Sequence, residues 1–304
     1  MSIESLISAY RTALRADGKS PSTLEWHRHC LNAFASWLRA GNHPEHPDGW
    51  SPALLRLYLV HLSERRKANG DPLSATSAAS MAGSLRSFCA WLHHEELAER
   101  DPFARLKPPR APKLVKPTLT WDEVAAVLRE ARDGRRTPLR DEAILLFLLD
   151  TGARANEVCT LAADGIDWER RIAKLFGKGA RERYVPFSPQ TARAIQRYAA
   201  RERRGSSGRL FESEEGRPLT PSGLLQLCRR LGDRVNVELH PHKCRHTFAI
   251  TYLRNGASVF AVQKVLGHTT LDVTLRYAAL LTDDLVKEHE LHSPVAALLS
   301  RSRR

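Results

Sequence analysis

The 304 residues predict a mainly α fold of the α+β class, in two domains, with one small antiparallel sheet in the second. Three observations lead there. Apolar residues recur at spacings of three and four through most of the chain. A basic stretch with five prolines in 17 residues, DPFARLKPPRAPKLVKP, divides the chain. Only within GIDWERRIAKLFGKGARERYVPF does the pattern change to short alternating runs broken by turn residues, which predicts two or three antiparallel strands.

In the first region the helical period runs through LISAYRTAL, STLEWHRHCLNAFASWLRA, PALLRLYLVHLSERRKA and ATSAASMAGSLRSFCAWLHHE. Ser20 and Ser22 stand at the start of the second pattern and Ser51-Pro52 at the start of the third, where a hydroxyl accepts first-turn N–H groups and proline needs no partner. Gly41-Asn42-His43-Pro44 and Asn69-Gly70-Asp71-Pro72 are the breaks. After the proline-rich stretch, Thr120 with Glu123 three residues on forms a capping-box pattern opening TWDEVAAVLREAR, and residues 138–150 form a strongly apolar helix. Beyond the alternating stretch the helical period resumes to the end. The expected boundaries are 1–105 for the helical domain, 106–117 for the basic linker and 118–304 for the second domain.

The 42% hydrophobic content suits a well-cored protein, and no run of about 18 apolar residues is present, so neither a membrane span nor a signal peptide is expected. The five cysteines are odd in number, widely separated and never CxxC, which argues against a disulfide framework or structural zinc and fits a reducing cytoplasm. The formal charge is +13, of which residues 111–304 carry +10 (33 Lys and Arg against 23 Asp and Glu). A surplus of this kind points to a polyanion, most simply nucleic acid, because Lys and Arg displace counterions condensed on phosphates.

Four stretches carry candidate chemistry: TGARANEVCTL (151–161), FGKGARERYVP (176–186), HPHKCRHTFA (240–249) and LGHTTLDVTLRYA (266–278). Each residue alone has a bland reading: an arginine on a helix surface, a lysine at a solvated hairpin tip, a tyrosine in packing. Gly-Lys-Gly around Lys178 is no phosphate loop, since position 172 is Ile and Gly179 stands where Ser or Thr is needed. His242 and His246 have the spacing of zinc-protease ligands, yet Lys243 replaces the general-base glutamate; His246 is expected to be a buried, hydrogen-bonded histidine.

Together and in this order, the four stretches resemble the tyrosine recombinase family, which includes phage integrases and Xer-type recombinases. The resemblance covers nearly the whole chain, with the first region similar to the family's helical, SAM-like core-binding domain. It implies a C-shaped clamp around the duplex. Residue by residue, Arg154 matches the first catalytic arginine of TGxR, Lys178 the hairpin lysine, His242 and Arg245 the HxxRH motif, His268 the histidine of LGH and Tyr277 the nucleophile. Ala153, Ala155 and Cys244 depart slightly from the usual neighbours, and Cys244 is expected to bring sensitivity to oxidation.

The chemistry of phosphodiester transfer asks for such a set. Charge grows on the non-bridging oxygens as a phenol oxygen attacks, and two guanidiniums, Arg154 and Arg245, suit its stabilisation. A tyrosine hydroxyl with an ordinary pKa of about 10 needs a base or a positive field, and the departing deoxyribose oxygen needs a proton. The resemblance assigns assistance at the nucleophile to His242, protonation of the 5′ oxygen to Lys178 and a phosphate hydrogen bond to His268. It also implies a 3′-phosphotyrosine intermediate that needs no metal, nucleotide or other cofactor.

Expected partners are double-stranded DNA and further protomers, as a cyclic tetramer on two sites or with a related recombinase, with no membrane. Basic side chains expected on DNA are Lys107, Arg110, Lys113, Lys116, Lys174, Arg181 and Arg183. The run Arg201, Arg203, Arg204 reads equally as a DNA contact or as a solvated helix end, and Ser74 to Arg86 and Arg217 to Arg230 as candidate groove readers. Helical periodicity from the first residues of this sequence sets the expectation of a simple-site enzyme without an arm-binding domain. The apolar face of Leu285, Val286, Val295, Leu298 and Leu299 is expected to dock on a neighbouring protomer. Two other readings stand beside this one: a catalytically silent DNA-binding accessory, and a type IB topoisomerase-like relaxing enzyme.

Overall fold

The computed structural model describes residues 1–67, 69–107, 117–134, 136–177, 182–205, 207–267, 270 and 275. The chain divides into two compact units, Met1–Leu114 and Val115–Arg304.

In the first unit four helices surround one core: α1 (Ile3–Ala16), α2 (Pro21–Ala40), α3 (Pro52–Glu64) and α4 (Ala75–His94). Each starts on a serine, Ser2, Ser20, Ser51 or Ser74, whose hydroxyl accepts the N–H of the residue three further on and so satisfies a first-turn donor. Rings from the helices and from Trp50, in the segment between α2 and α3, fill the centre, with Phe34 edge-on to Trp50 at 5.1 Å and to Tyr58 at 4.8 Å, and Tyr10 beside Phe88 at 5.3 Å. Helix α3 is shorter than its periodicity suggests. It stops at Glu64 because Arg65-Arg66-Lys67 offers nothing to bury, and that backbone pairs instead with the turn residues beyond: Leu73 N–H donates to the Arg65 carbonyl at 2.7 Å and Lys67 N–H to that of Asp71 at 2.8 Å.

The second unit is built around α6 (Pro138–Thr151), whose Ala143, Ile144, Leu145, Phe147 and Leu148 are all fully buried. A helix apolar on more than one face must be covered on more than one side. Around it pack α5 (Trp121–Arg132), α8 (Pro189–Arg201) and α10 (Pro241–Arg254). The capping box at Thr120 and Glu123 is present, with both reciprocal hydrogen bonds. Between α7 (Ala155–Thr160) and α8 lies the sheet, three antiparallel strands in the order β1 (Ile166–Asp167), β2 (Ile172–Phe176), β3 (Glu182–Pro186). Its register sets Ala173 opposite Val185 and Leu175 opposite Arg183. Helix α9 (Pro221–Arg234) precedes α10, and α11 (Val259–Leu266) follows it.

Charges buried at the start of α6 are compensated, as burial demands. Asp141 pairs with Arg140 at 2.7 Å and Arg230 at 3.1 Å, Glu142 with Arg132 at 2.7 Å and Arg197 at 3.0 Å, and Glu202 accepts the N–H groups of Leu139 and Arg140. At its other end Asp150 accepts from Ser188 N–H and the Thr191 hydroxyl, which locks α6 to α8. Among the described residues no helix is long and apolar enough to cross a membrane.

Candidate active site

Two glycines set the geometry from which the site grows. Gly152 ends α6 and Gly267 ends α11, both in the left-handed region (φ 59° and 64°), where a side chain is disfavoured. Space forbids one as well: a Cβ at Gly152 would stand 2.5 Å from Phe248 Cδ1, and one at Gly267 would stand 2.8 Å from Arg183 Cδ. The first turn delivers the chain straight to Arg154, the residue before α7. The second ends immediately before position 268.

The last carbonyls of a helix have no partners within it. At α11 they are taken, in succession, by three arginines from three other elements. Val265 accepts from Arg183 Nη1 of β3, Leu266 from Arg245 Nη2 of α10 at 2.8 Å, and Gly267 from Arg154 Nη2 at 3.3 Å. Arg245 also donates through Nη1 to the Gly152 carbonyl at 2.6 Å, so one guanidinium, only 4% exposed, bridges the two glycine turns. The helix dipole favours positive charge at this end. Residues far apart in sequence, Arg154 and Arg245, thus reach consecutive carbonyls.

Glu157, only 2% exposed on α7, organises the arginines from beneath. Its Oε1 accepts from Arg154 Nη1 at 3.0 Å and Arg183 Nε at 3.2 Å, and its Oε2 from Arg154 N–H and Arg183 Nη2, both at 2.6 Å. Burial, the largest single influence, would raise the Glu157 pKa; the hydrogen bonds and charges of Arg183 and Arg154 outweigh it and hold the carboxyl below its usual range. Neither Glu157 nor the inward role of Arg183 was singled out from the sequence. The available signal was an acidic residue three positions after Arg154, at the start of a helix.

His242 lies exposed in the first turn of α10, its ring stacked on that of His246 at 4.3 Å. His246 is half-buried. His240 caps the same helix, its Nδ1 accepting from Lys243 N–H at 3.0 Å. The expected oxidation sensitivity at Cys244 is not supported: the thiol is fully buried, and burial pushes its pKa up to about 12, so the reactive thiolate is suppressed. The expectations for Lys178, His268 and Tyr277 lie outside the described residues, as do those for Arg110, Lys113, Lys116, Arg181 and the apolar face at 285–299.

Among the basic residues expected on DNA, Lys107 is exposed, and Lys174 sits on the outer face of the sheet, paired with Glu182 at 2.8 Å and 5.3 Å from the Phe176 ring centre. Arg183, also expected on DNA, has a side chain that is 11% exposed and turned to the interior, where the buried Glu157 carboxylate and the Val265 carbonyl both need donors. Arg203 likewise is not simply a solvated helix end, since its Nε donates to the Arg209 carbonyl at 3.0 Å. Within the candidate groove readers, Arg86 is exposed on α4, whereas Arg230 is committed to Asp141 and Glu214.

Comparison with known proteins gives this arrangement a family. The phage integrase family profile matches residues 117–283, and the phage integrase N-terminal SAM-like domain matches residues 7–96. A tyrosine recombinase XerD of Halalkalibacterium halodurans is 34% identical over 227 residues, 72% of this chain and 74% of that one. A tyrosine recombinase XerA of Thermococcus onnurineus is 28% identical over 98% of this chain and 99% of its own. Among solved structures, the Tn1549 transposon integrase in complex with transposon right end DNA aligns with a TM-score of 0.73 at 20% identity, over 91% of this chain and 94% of that one. A lambda integrase dimer bound to a COC′ core site aligns at 0.72 and 16% identity, over 91% and 95%. These structures share the fold; the profile, which spans more than half of the chain, and the XerD relative carry the assignment. The chain belongs to the phage integrase family, the tyrosine recombinases.

Proposed function

We propose that this chain is an active site-specific recombinase that cuts and rejoins double-stranded DNA, with Tyr277 as nucleophile and Arg154, Lys178, His242, Arg245 and His268 around the scissile phosphate. The observation that carries the reading is the convergence of Arg154 and Arg245 on the consecutive carbonyls of Gly267 and Leu266, directly before His268. Two guanidiniums fixed by backbone partners before substrate arrives are preorganised donors for charge developing on phosphate oxygens, and they need no reorganisation as the reaction proceeds.

In the cleavage step Tyr277 Oη attacks phosphorus while His242 assists departure of its proton. The new bond is a 3′-phosphotyrosine ester. The phosphorus–O5′ bond breaks, and Lys178 supplies the proton that makes the leaving group a 5′ hydroxyl. His268 donates a hydrogen bond to the phosphate. Rejoining runs the step in reverse with a 5′ hydroxyl from another strand, so the phosphodiester energy is conserved and nothing is hydrolysed. The reaction runs in the cytoplasm, on two paired sites held by a cyclic tetramer of this chain or with a related recombinase. The five cysteines, all free and buried, suit that reducing compartment.

The test traps the covalent intermediate on nicked duplex bearing a candidate site. Wild type gives a protein-DNA adduct, and Tyr277→Phe, which keeps the ring without the attacking oxygen, gives none. An adduct that persists in the Phe variant moves the nucleophile elsewhere. A wild type that binds the site without ever forming an adduct is an accessory protein, and one that relaxes supercoils without pairing two sites is a topoisomerase.

A further inference from the structure

The feature least explained by cleavage chemistry is Arg183. A charged side chain on a strand next to a basic hairpin would ordinarily face solvent, yet this one turns inward and spends three N–H groups on groups that belong to two other elements: Nε and Nη2 on Glu157 of α7, Nη1 on the Val265 carbonyl of α11. Its alkyl stem lies over Gly267, close enough that a Cβ there would stand 2.8 Å from Arg183 Cδ. The residue therefore ties β3, α7 and the end of α11 together at the point where the α11 turn meets Arg154.

The division of the Glu157 carboxylate shows what this tie does. Each oxygen accepts one donor from Arg154 and one from Arg183. Arg154 contributes its backbone N–H and a single guanidinium N–H; among the described residues its side chain makes one further bond, to the Gly267 carbonyl. A guanidinium carries five N–H donors, so three are left over by its bonds to the described residues and can be aimed at a ligand. A buried carboxylate deprived of Arg183 would seek a second side-chain donor, and the nearest is Arg154 itself. The two would close into a forked pair, which is the preferred geometry of Arg with carboxylate, and the guanidinium would swing away from the phosphate position.

We infer that Arg183 is a positioning residue for the cleavage step: by occupying half of Glu157 it holds Arg154 to a single side-chain contact with that carboxylate and keeps the rest of its guanidinium directed at the scissile phosphate. The inference rests on the proposed recombinase reading. It gives Arg183 no contact with DNA. Its loss acts on the rate of adduct formation and not on DNA affinity, and the loss passes through Glu157.

The experiment is a double-mutant cycle of Arg183→Gln and Glu157→Gln in the full-length protein, with adduct formation on nicked duplex measured in single turnover, DNA affinity measured by fluorescence anisotropy and thermal unfolding followed in parallel. Arg183→Gln is expected to slow adduct formation about 10- to 100-fold, the cost of a displacement of about an ångström at a reacting group, while affinity stays within about twofold. Adding Glu157→Gln, which removes the charge that would capture Arg154, is expected to restore the rate to within a few-fold of Glu157→Gln alone. Arg183→Lys keeps the charge without the fork and falls between.

A rate unchanged in Arg183→Gln overturns the inference. So do losses that multiply in the double variant, which would mean that Arg183 acts independently of Glu157, and so does a parallel fall in affinity, which would make it a DNA contact. An adduct absent from wild type itself sinks the recombinase reading, whereas a normal wild-type adduct with any of the outcomes above sinks only the role of Arg183.

Discussion

Gly152 illustrates how much of the site rests on a residue without a side chain. Its φ of 59° and the 2.5 Å and 2.7 Å approaches to Phe248 and Leu266 that a Cβ would face leave no room for alanine. Gly152→Ala is expected to cost about 2 kcal/mol or more, from left-handed strain and overpacking together, and to lower the cleavage rate because the turn carries both Arg154 and the carbonyl that holds Arg245. Chemical denaturation and single-turnover cleavage read the two losses. Arg245 joins structure to chemistry in the same way. Arg245→Ala is expected to retain DNA binding and lose cleavage by about 10²- to 10³-fold. It is also expected to lower the melting temperature, since the carbonyls of Gly152 and Leu266 each lose a guanidinium donor in a buried setting. A loss of affinity equal to the loss of rate would recast it as an anchor.

Among the elements, α7 is short and owes its place to Glu157. The carboxylate that accepts the N–H at the helix start also binds β3 through Arg183, so the helix, the strand and the end of α11 share one charge cluster. Its pKa lies below the ordinary glutamate value, so the stability it adds is complete at pH values above that range and drains away as pH falls through the lowered folded-state value. Glu157→Gln is therefore expected to flatten the acid side of the stability profile and to leave a difference from wild type that is largest near neutral pH. Melting temperature followed from pH 7 to pH 3 checks this, and parallel curves for the two proteins would contradict it.

On the scale of the whole molecule, each unit has a core of its own. Tyr10, Phe34, Trp50, Tyr58 and Phe88 fill the first, and α6 with the helices and sheet around it fills the second. A fragment of residues 1–107 is expected to unfold cooperatively on its own, as a unit with a complete hydrophobic centre should; a fragment without a sigmoidal transition would contradict it. The same scale governs DNA affinity. With +10 of the net charge carried beyond residue 110, binding that neutralises six or more phosphates would weaken by about 10³-fold or more between 50 mM and 200 mM salt.

Among the described residues, most helix positions, the capping box at Thr120 and the change of period that becomes β1 to β3 are legible in the sequence, because each is a local or periodic signal carried by neighbours in the chain. The end of α3 was misjudged where helical propensity ran on past the last residue with anything to bury, and backbone pairing of Arg65 to Lys67 with residues 71–73 took over. Motif spacing named Arg154 and Arg245 as chemical groups. It said nothing of the carbonyls of Val265, Leu266 and Gly267, nor of the bonds that turn Arg183 toward Glu157. Those facts depend on distant segments meeting around one buried carboxylate and one helix end. Which donors a buried acceptor finds is settled by packing in three dimensions, and no spacing along the chain encodes it.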